Sequence, residues 1–495
     1  MRCIECEEIE LARVSDARPT QTLPVPTAAL DGFPAGRGRA ELTRRRLLQW
    51  GVAGLASVYA AHELGWDEVW ESVAAAAADP PKRCLLMLYL AGGNDGLNTL
   101  PPAPGADYTA YAAARPALHR LTGPSLKDGT GKVTTVGSQP IAGTPLAFSN
   151  PLVSTAGGGD NGAAGGLDTL YAGGGLALMP AADVLNYSLS HFDNSDMWFS
   201  GLTSGIKSTG WLGRWIDRNG DPANPLQAIS IDTALSKAIR TAHMPVCAIP
   251  SLSALGFGYS FNGAGYPASS TAPNVPLNTE LNALAGLVAG ADNAYLGRSR
   301  STYGLAVETY AEAARGPAFA AGAGYPAGQV LSQRLQLAAH LFHNLGTRIV
   351  TIHWGGFDTH SGQIATQDAQ LKVFSAALAA FQADLAQRGV ADRVATLVFS
   401  EFGRRVGENA SAGTDHGAGG LMLALGTQVK GGLAAQWPGC QASQLVGGNL
   451  AVPTDFRSVY AAVIEQWLQD DPQAVLTGGA IAPLTRGDGA GGLFA

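Results

Sequence analysis

Four clusters of acids, histidines and amides stand out in this chain because charged residues make up only 14% of it. They are Gly92-Gly93-Asn94-Asp95-Gly96-Leu97-Asn98, Ser190-His191-Phe192-Asp193-Asn194-Ser195-Asp196, Gly355-Gly356-Phe357-Asp358-Thr359-His360, and Ser400-Glu401-Phe402-Gly403-Arg404-Arg405 with the nearby Gly413-Thr414-Asp415-His416-Gly417. Each has a plain alternative. Asn94-Asp95-Gly96 suits a turn, since Asn and Asp tolerate left-handed geometry and Gly supplies positive φ. Asp358-Thr359-His360-Ser361 suits a helix N-cap. Glu401 with Arg404 suits a surface ion pair, and Asp415 with His416 a loop pair. Taken together they describe one crowded acidic pocket. Carboxylates packed that closely repel unless a cation holds them. A mixed Asp, Glu and His set suits zinc, manganese or another borderline divalent ion. Beside such an ion, Arg404 or Arg405 could grip the nonbridging oxygens of a transferred group in bidentate fashion. Ser190 combines a position before a helical run with a hydroxyl. That fits a nucleophile assisted by backbone N–H groups as well as it fits an N-cap, with His191 beside it as base or substrate ligand.

Three of the four clusters directly follow an apolar run that reads as a buried strand. Those runs are 83–90, 348–353 and 393–400. Further strands are expected at 176–179, 226–231 and 246–249. Helices are expected near 108–115, from 190 to 200, over 278–315, 330–345 and 363–388, and at the end over 455–468. Strand and helix in alternation predict an α/β fold: a mainly parallel central sheet with helices on both faces. Ligands of such sheets gather beyond the carboxyl ends of the strands.

Residues 1–78 read differently. Thr43-Arg44-Arg45-Arg46-Leu47-Leu48 precedes an uncharged stretch from Trp50 to Ala61, and Ala74 to Ala78 supplies small residues for cleavage. This is a signal region of twin-arginine type. The apolar stretch is too short for a bilayer, so no stable transmembrane anchor is expected. The chain is expected to meet the twin-arginine translocase and to work in the periplasm, at the cell surface or outside the cell. Residues 79–495 form the folded domain, with loop-rich insertions. A net charge of −7 points away from nucleic acid as a partner. Of five cysteines, Cys84, Cys247 and Cys440 fall in the folded part; their spacing makes no disulfide framework.

The leader, Gly-Gly-Asn-Asp-Gly-Leu-Asn at 92–98, Ser190-His191-Phe192 with Trp198 and Gly201, Gly210-Trp211-Leu212-Gly213-Arg214, Phe357-Asp358-Thr359-His360, Ser400-Glu401-Phe402-Gly403-Arg404, Asp415-His416-Gly417 and Asp455-Phe456-Arg457-Ser458 together resemble the domain-of-unknown-function 1501 family. That family is grouped with the alkaline phosphatase superfamily, alongside sulfatases and cofactor-independent phosphoglycerate mutases. The resemblance implies an alkaline-phosphatase-like fold holding one or two divalent ions (zinc, manganese, calcium or magnesium). It places Asp95 or Asn94 on one metal, Asp358 and His360 on the other, and Glu401 and His416 as further ligands, with Asp415 beside them. It makes Ser190, or else Ser195, the nucleophile. The implied activity is hydrolysis of phosphate or sulfate esters; the alternative is a non-catalytic exported protein that keeps the fold. Two departures stand out. Glu401-Phe402 replaces the usual Asp-His, removing a nitrogen ligand, and the sulfatase Cys-x-Pro-Ser-Arg motif is absent.

Overall fold

The computed structural model describes residues 83–221, 224, 226–250, 324–344, 346–487, 489 and 491–495. The stretches expected to form a twin-arginine leader and a helix over 278–315 lie outside the described residues. Among those described, no helix is long and apolar enough to cross a membrane.

The chain folds as mixed α/β around an eight-stranded sheet. Its strands are β1 (Cys84–Ala91), β2 (Leu176–Met179), β3 (Ala228–Ser230), β4 (Cys247–Ala248), β5 (Ile349–Gly355), β6 (Val394–Phe399), β7 (Met422–Leu425) and β8 (Gly432–Leu433). They lie in the order β4-β3-β5-β1-β6-β7-β2-β8. From β4 across to β6 every pairing is parallel. The expectation of a mainly parallel sheet needs amending beyond β6, because β7 runs antiparallel to both β6 and β2. The reason lies in the connection. Parallel neighbours need a crossover, usually a helix, and no helix lies between Phe399 and Met422. The chain instead folds back through a small antiparallel ribbon, Gly403–Arg404 against His416–Gly417.

Alternation along β1 divides the core. Leu86, Leu88 and Leu90 point to one face, with Leu335 and Phe342 from helix Val330–Asn344 and Leu371, Phe374 and Phe381 from helix Gln363–Gln387. Leu85, Met87 and Tyr89 point to the other. There they meet Trp198 from helix His191–Ser200, Trp211 and Trp215 from helix Trp211–Asn219, and Phe456 and Tyr460 from helix Phe456–Ala462. Each fully buried side chain of this size contributes about 1.5–3 kcal/mol. These five helices cover the core on both faces, as the alternation of elements predicts. We label helices α1 (Gly96–Thr99), α2 (Ala106–Ala114), α3 (Leu167–Ala172), α4 (His191–Ser200), α5 (Trp211–Asn219), α6 (Val330–Asn344), α7 (Gln363–Gln387) and α8 (Phe456–Ala462). Cys84, Cys247 and Cys440 are buried thiols outside any disulfide, and burial pushes those of Cys84 and Cys247 up to about 12.

The sheet topology matters most at one edge. Strands β5, β1 and β6 are adjacent and parallel, so their carboxyl ends release three of the polar clusters side by side. The fourth arrives on the first turn of α4, whose Trp198 indole N–H donates to the Glu401 carbonyl at 2.8 Å. Asn194 Nδ2 donates to the same oxygen at 3.0 Å, so α4 is docked directly onto the end of β6.

Candidate metal centre

The site is built outward from Glu401, a buried carboxylate with 1% of its surface exposed. Directly after β1 the chain turns through Gly92 and Gly93, at φ 118° and 76°. Those angles aim two consecutive backbone N–H groups at Glu401, at 2.8 and 3.0 Å. Glycine is required here for space as well as for φ. A Cβ on Gly92 would meet the Asp358 nitrogen at 2.4 Å, and one on Gly93 the Phe402 ring at 2.3 Å. The Ser400 hydroxyl adds a third donor at 3.0 Å. Burial alone would raise the Glu401 pKa. The hydrogen bonds from His191 and from the backbone outweigh it and hold the carboxyl below its usual range.

Glu401 Oε1 also meets His191 Nδ1, at 2.6 Å. Glu401 therefore lies behind the imidazole and orients it. The other two histidines are held in the same way. His416 Nδ1 donates to the Leu189 carbonyl at 2.8 Å, and His360 Nδ1 faces Asp415 Oδ1 at 3.3 Å. All three Nδ1 partners are carbonyl or carboxylate oxygens, which only accept, so each Nδ1 carries the hydrogen. Each Nε2 is left facing inward. His191 Nε2 lies 3.6 Å from Asp358 Oδ2, while His360 and His416 Nε2 each lie 3.2 Å from Asp358 Oδ1. His360 and His416 Nε2 are 3.0 Å apart. Two imidazole lone pairs at that distance repel unless a proton or a metal ion lies between them.

Asp358 is the hub. Burial opposes its ionisation, but the His191 and His416 imidazoles and the Arg404 guanidinium beside it hold its carboxyl far below the usual carboxylate range. Asp358 and Glu401 together push His191 up to about 9 in the absence of an ion. The reading of Asp358 as a helix cap fails: the N-cap of α7 is Gly362, with no side-chain cap at all.

Of the residues singled out in the sequence, the fold brings His191, Asp358, His360 and His416 face to face. It places Glu401 and Asp415 one layer out, where they orient imidazoles. Both had been expected as metal ligands, and each instead meets the far nitrogen of an imidazole. Three further assignments change. Asp95, expected to bind metal, is 1% exposed and caps α1 by accepting from Leu97 and Asn98 N–H. Its second oxygen pairs with Arg115 at 2.5 Å, and Gln363 donates to it as well. A carboxylate so fully engaged inside the protein has no lone pair for the centre. Asn94, the alternative, hydrogen-bonds Thr99. Arg404, expected to grip substrate, is buried, and its donors go to the carbonyls of Gly92, Gly93, Phe357 and Thr414 and to Asp358. It ties the ends of β1, β5 and β6 together. The third change is His191, expected to act as a base or to bind substrate. It supplies an imidazole to the cluster and packs on the Phe402 ring at 4.9 Å. An imidazole nitrogen thus reaches this corner from α4, at a residue 210 positions before Glu401 in sequence. Ser190 is the N-cap of α4, its Oγ accepting from Asp193 N–H. Its neighbour Leu189 is the carbonyl that holds His416.

The residues fit a divalent ion. Donors about 2.0–2.2 Å from one centre, at tetrahedral to octahedral angles, stand about 3.0–3.5 Å apart. The Nε2 and carboxylate separations here run from 3.0 to 3.6 Å, and the donor atoms of His191, Asp358 and His416 all lie within 4.8 Å of one another. Orienting partners on the far nitrogen of each ligating histidine are the usual companions of a bound metal. Asp358 and His360 are 48% and 45% exposed, so one side of the cluster is open.

Residues 298–456 match a family model described as Protein of unknown function (DUF1501). The matched segment includes Asp358, His360, Glu401, Asp415 and His416 and stops short of His191. No curated protein matches the chain.

Proposed function

We propose that His191, Asp358 and His416, with His360 as a fourth donor, hold one divalent metal ion, and that the protein uses it to hydrolyse phosphate or sulfate esters outside the cytoplasm. The observation that carries the metal is the inward convergence of three imidazole nitrogens on one carboxylate, each ring fixed from behind by an acceptor. A bound ion supplies a water of lowered pKa and offsets negative charge on the transferring group. The chain's own residues do the positioning. Glu401 sets the His191 ring, Leu189 sets His416, Asp415 sets His360, and Arg404 anchors Asp358. Arg405, whose guanidinium bonds the Gly447 carbonyl, is left as the side chain to contact nonbridging oxygens. The Ser190 hydroxyl stands at the start of α4 as the alternative attacking group to water.

The sequestration of Arg404 supports the second reading, an exported metal protein that binds a surface polymer or a partner without turnover. Metal analysis of the purified mature protein, followed by assays with aryl phosphate and aryl sulfate, separates the two. The expected result is close to one ion per chain and turnover that chelation abolishes. Metal-free, stably folded protein would sink the metal assignment; metal without turnover on either ester selects the binding reading. If Ser190→Ala keeps its rate and loses only the roughly 1 kcal/mol of a helix cap, attack belongs to water.

Export rests on the arginine pair of the leader. Residues 1–82 fused to a folded reporter are expected to carry it out of the cytoplasm, and Arg44→Lys with Arg45→Lys to strand it inside. Export of the double lysine variant would remove the twin-arginine assignment.

A further inference from the structure

A second group of chemistry-bearing side chains sits on the same sheet edge, beyond the ends of β3 and β5. We propose that Ser236, His353 and Asp232 form a nucleophilic triad that hydrolyses carboxylic esters independently of the metal centre. Ser236 Oγ lies 3.1 Å from His353 Nε2, and Asp232 Oδ2 lies 3.7 Å from His353 Nδ1. With the hydrogen on Nδ1, the nitrogen on the carboxylate's side, Nε2 presents its lone pair to the serine hydroxyl. That is the order of roles in which an acid orients a base and the base activates a hydroxyl. The Asp–His distance is longer than a tight hydrogen bond, as such contacts often are without substrate.

The placement is over-determined. β3 and β5 are parallel neighbours, with Ser230 paired to Thr351. The Ser230 hydroxyl bonds Thr351 Oγ1 at 2.9 Å and accepts the Ser236 N–H at 2.8 Å, which fixes the serine backbone over the end of β5. His353 is clamped on both sides: its ring stacks on Phe199 at 5.1 Å with a 5° tilt, and meets the Tyr89 ring edge-on at 5.3 Å. Arg334 donates to the His353 carbonyl and lies 4.0 Å from Asp232. Burial, opposed by Asp232, lowers the His353 pKa, which keeps the ring neutral and able to accept a proton. Ser236 is 3% exposed, but the side chains of His353 and Asp232 are 28% and 26% exposed, so the group opens to the surface through its base. A purely structural serine would need only its contact as cap to the Ala238 N–H, which is a long 3.3 Å.

The chemistry balances without a cofactor. Ser236 Oγ bonds to the acyl carbon while its proton passes to His353 Nε2. The C–O bond to the alcohol breaks, and the alkoxide takes that proton. Water then attacks the acyl carbon and gives a proton to Nε2. The acyl–Oγ bond breaks, Oγ recovers the proton, and the carboxylic acid leaves.

The test uses the mature protein as purified. An aryl fluorophosphonate is expected to label one serine, identified by peptide mapping as Ser236. p-Nitrophenyl acetate turnover is expected to fall by at least about 10³-fold in both Ser236→Ala and His353→Gln, with metal content unchanged in each. Loss of metal in either variant would mean a merely structural role and overturn the proposal. So would label on another residue, no label on the wild-type chain, or acetate turnover that survives in Ser236→Ala. The wild-type labelling result stands even if a variant fails to fold. It is also independent of the metal reading, which fails or succeeds on metal content alone.

Discussion

Asp358→Ala is expected to empty the proposed metal centre, with bound metal falling below stoichiometric detection and the proposed ester turnover dropping by several orders of magnitude. Among the described residues, Asp358 is the one group that touches all three inward-facing nitrogens, at 3.2–3.6 Å. Without it, the lone pairs of His360 and His416 face each other across 3.0 Å with no anion to balance a cation. His416→Ala should act almost as strongly, because it removes a donor whose orientation the Leu189 carbonyl has already fixed. Glu401→Gln should act less. It leaves His191 present but poorly aimed, and changes to such orienting partners typically cost 10–100-fold in metal affinity. The ranking is the content of the prediction. Metal titrations of the four proteins by calorimetry check it, with denaturation curves to confirm folding. If Glu401→Gln loses as much affinity as Asp358→Ala, Glu401 contacts the metal itself. If Asp358→Ala binds metal as tightly as the parent, the centre is elsewhere.

Arg404→Met is expected to destabilise the protein by about 3–5 kcal/mol. The guanidinium lies at the junction of β1, β5 and β6. It donates to Gly93 at 2.7 Å, Thr414 at 2.8 Å, Phe357 at 3.1 Å and Asp358 at 2.7 Å, and to the Gly92 carbonyl. A methionine of similar length leaves four carbonyl oxygens of buried residues short of a donor, where each orphan is costly, and removes the partner of the half-exposed Asp358 carboxylate. Lysine keeps the charge but cannot reproduce the planar fork, so Arg404→Lys should recover only part of the loss. Chemical denaturation with and without metal reads the effect. A substrate-gripping arginine would behave in the opposite way, with KM raised and stability unchanged; that outcome would return Arg404 to the substrate side of the site.

Much of this protein was legible in its residues. The buried runs at 83–90, 348–353 and 393–400 mark the three strands that carry the centre, because uninterrupted apolar sequence of that length has no other stable home than a sheet covered on both faces. Phe357-Asp358-Thr359-His360 and Asp415-His416 stand out because so few other residues are charged. The length of α7 follows from an alanine-rich stretch free of Gly and Pro, with Leu371, Phe374, Leu378 and Phe381 at helical spacing. The tetrapeptide at 422–425 was not legible as a strand: four apolar residues carry no period, and its direction depends on a return loop without a helix.

What tertiary structure alone decided is which polar atoms face one another. Asp95 and Glu401 both follow a buried strand, and spacing makes them equivalent candidates. Positive φ at Gly92 and Gly93 turns their N–H groups onto Glu401, while α2's neighbour Arg115 draws Asp95 away into the interior. His191 has no sequence mark that separates a base from a ligand. Its place follows from α4 docking on the Glu401 carbonyl through Asn194 and Trp198. The sequence by itself determined the residue types at the strand ends, through local periodicity and glycine. The order β5-β1-β6 in the sheet, and the direction each side chain takes once neighbours from 200 residues away are packed against it, could be decided only by the fold, because those contacts are long-range.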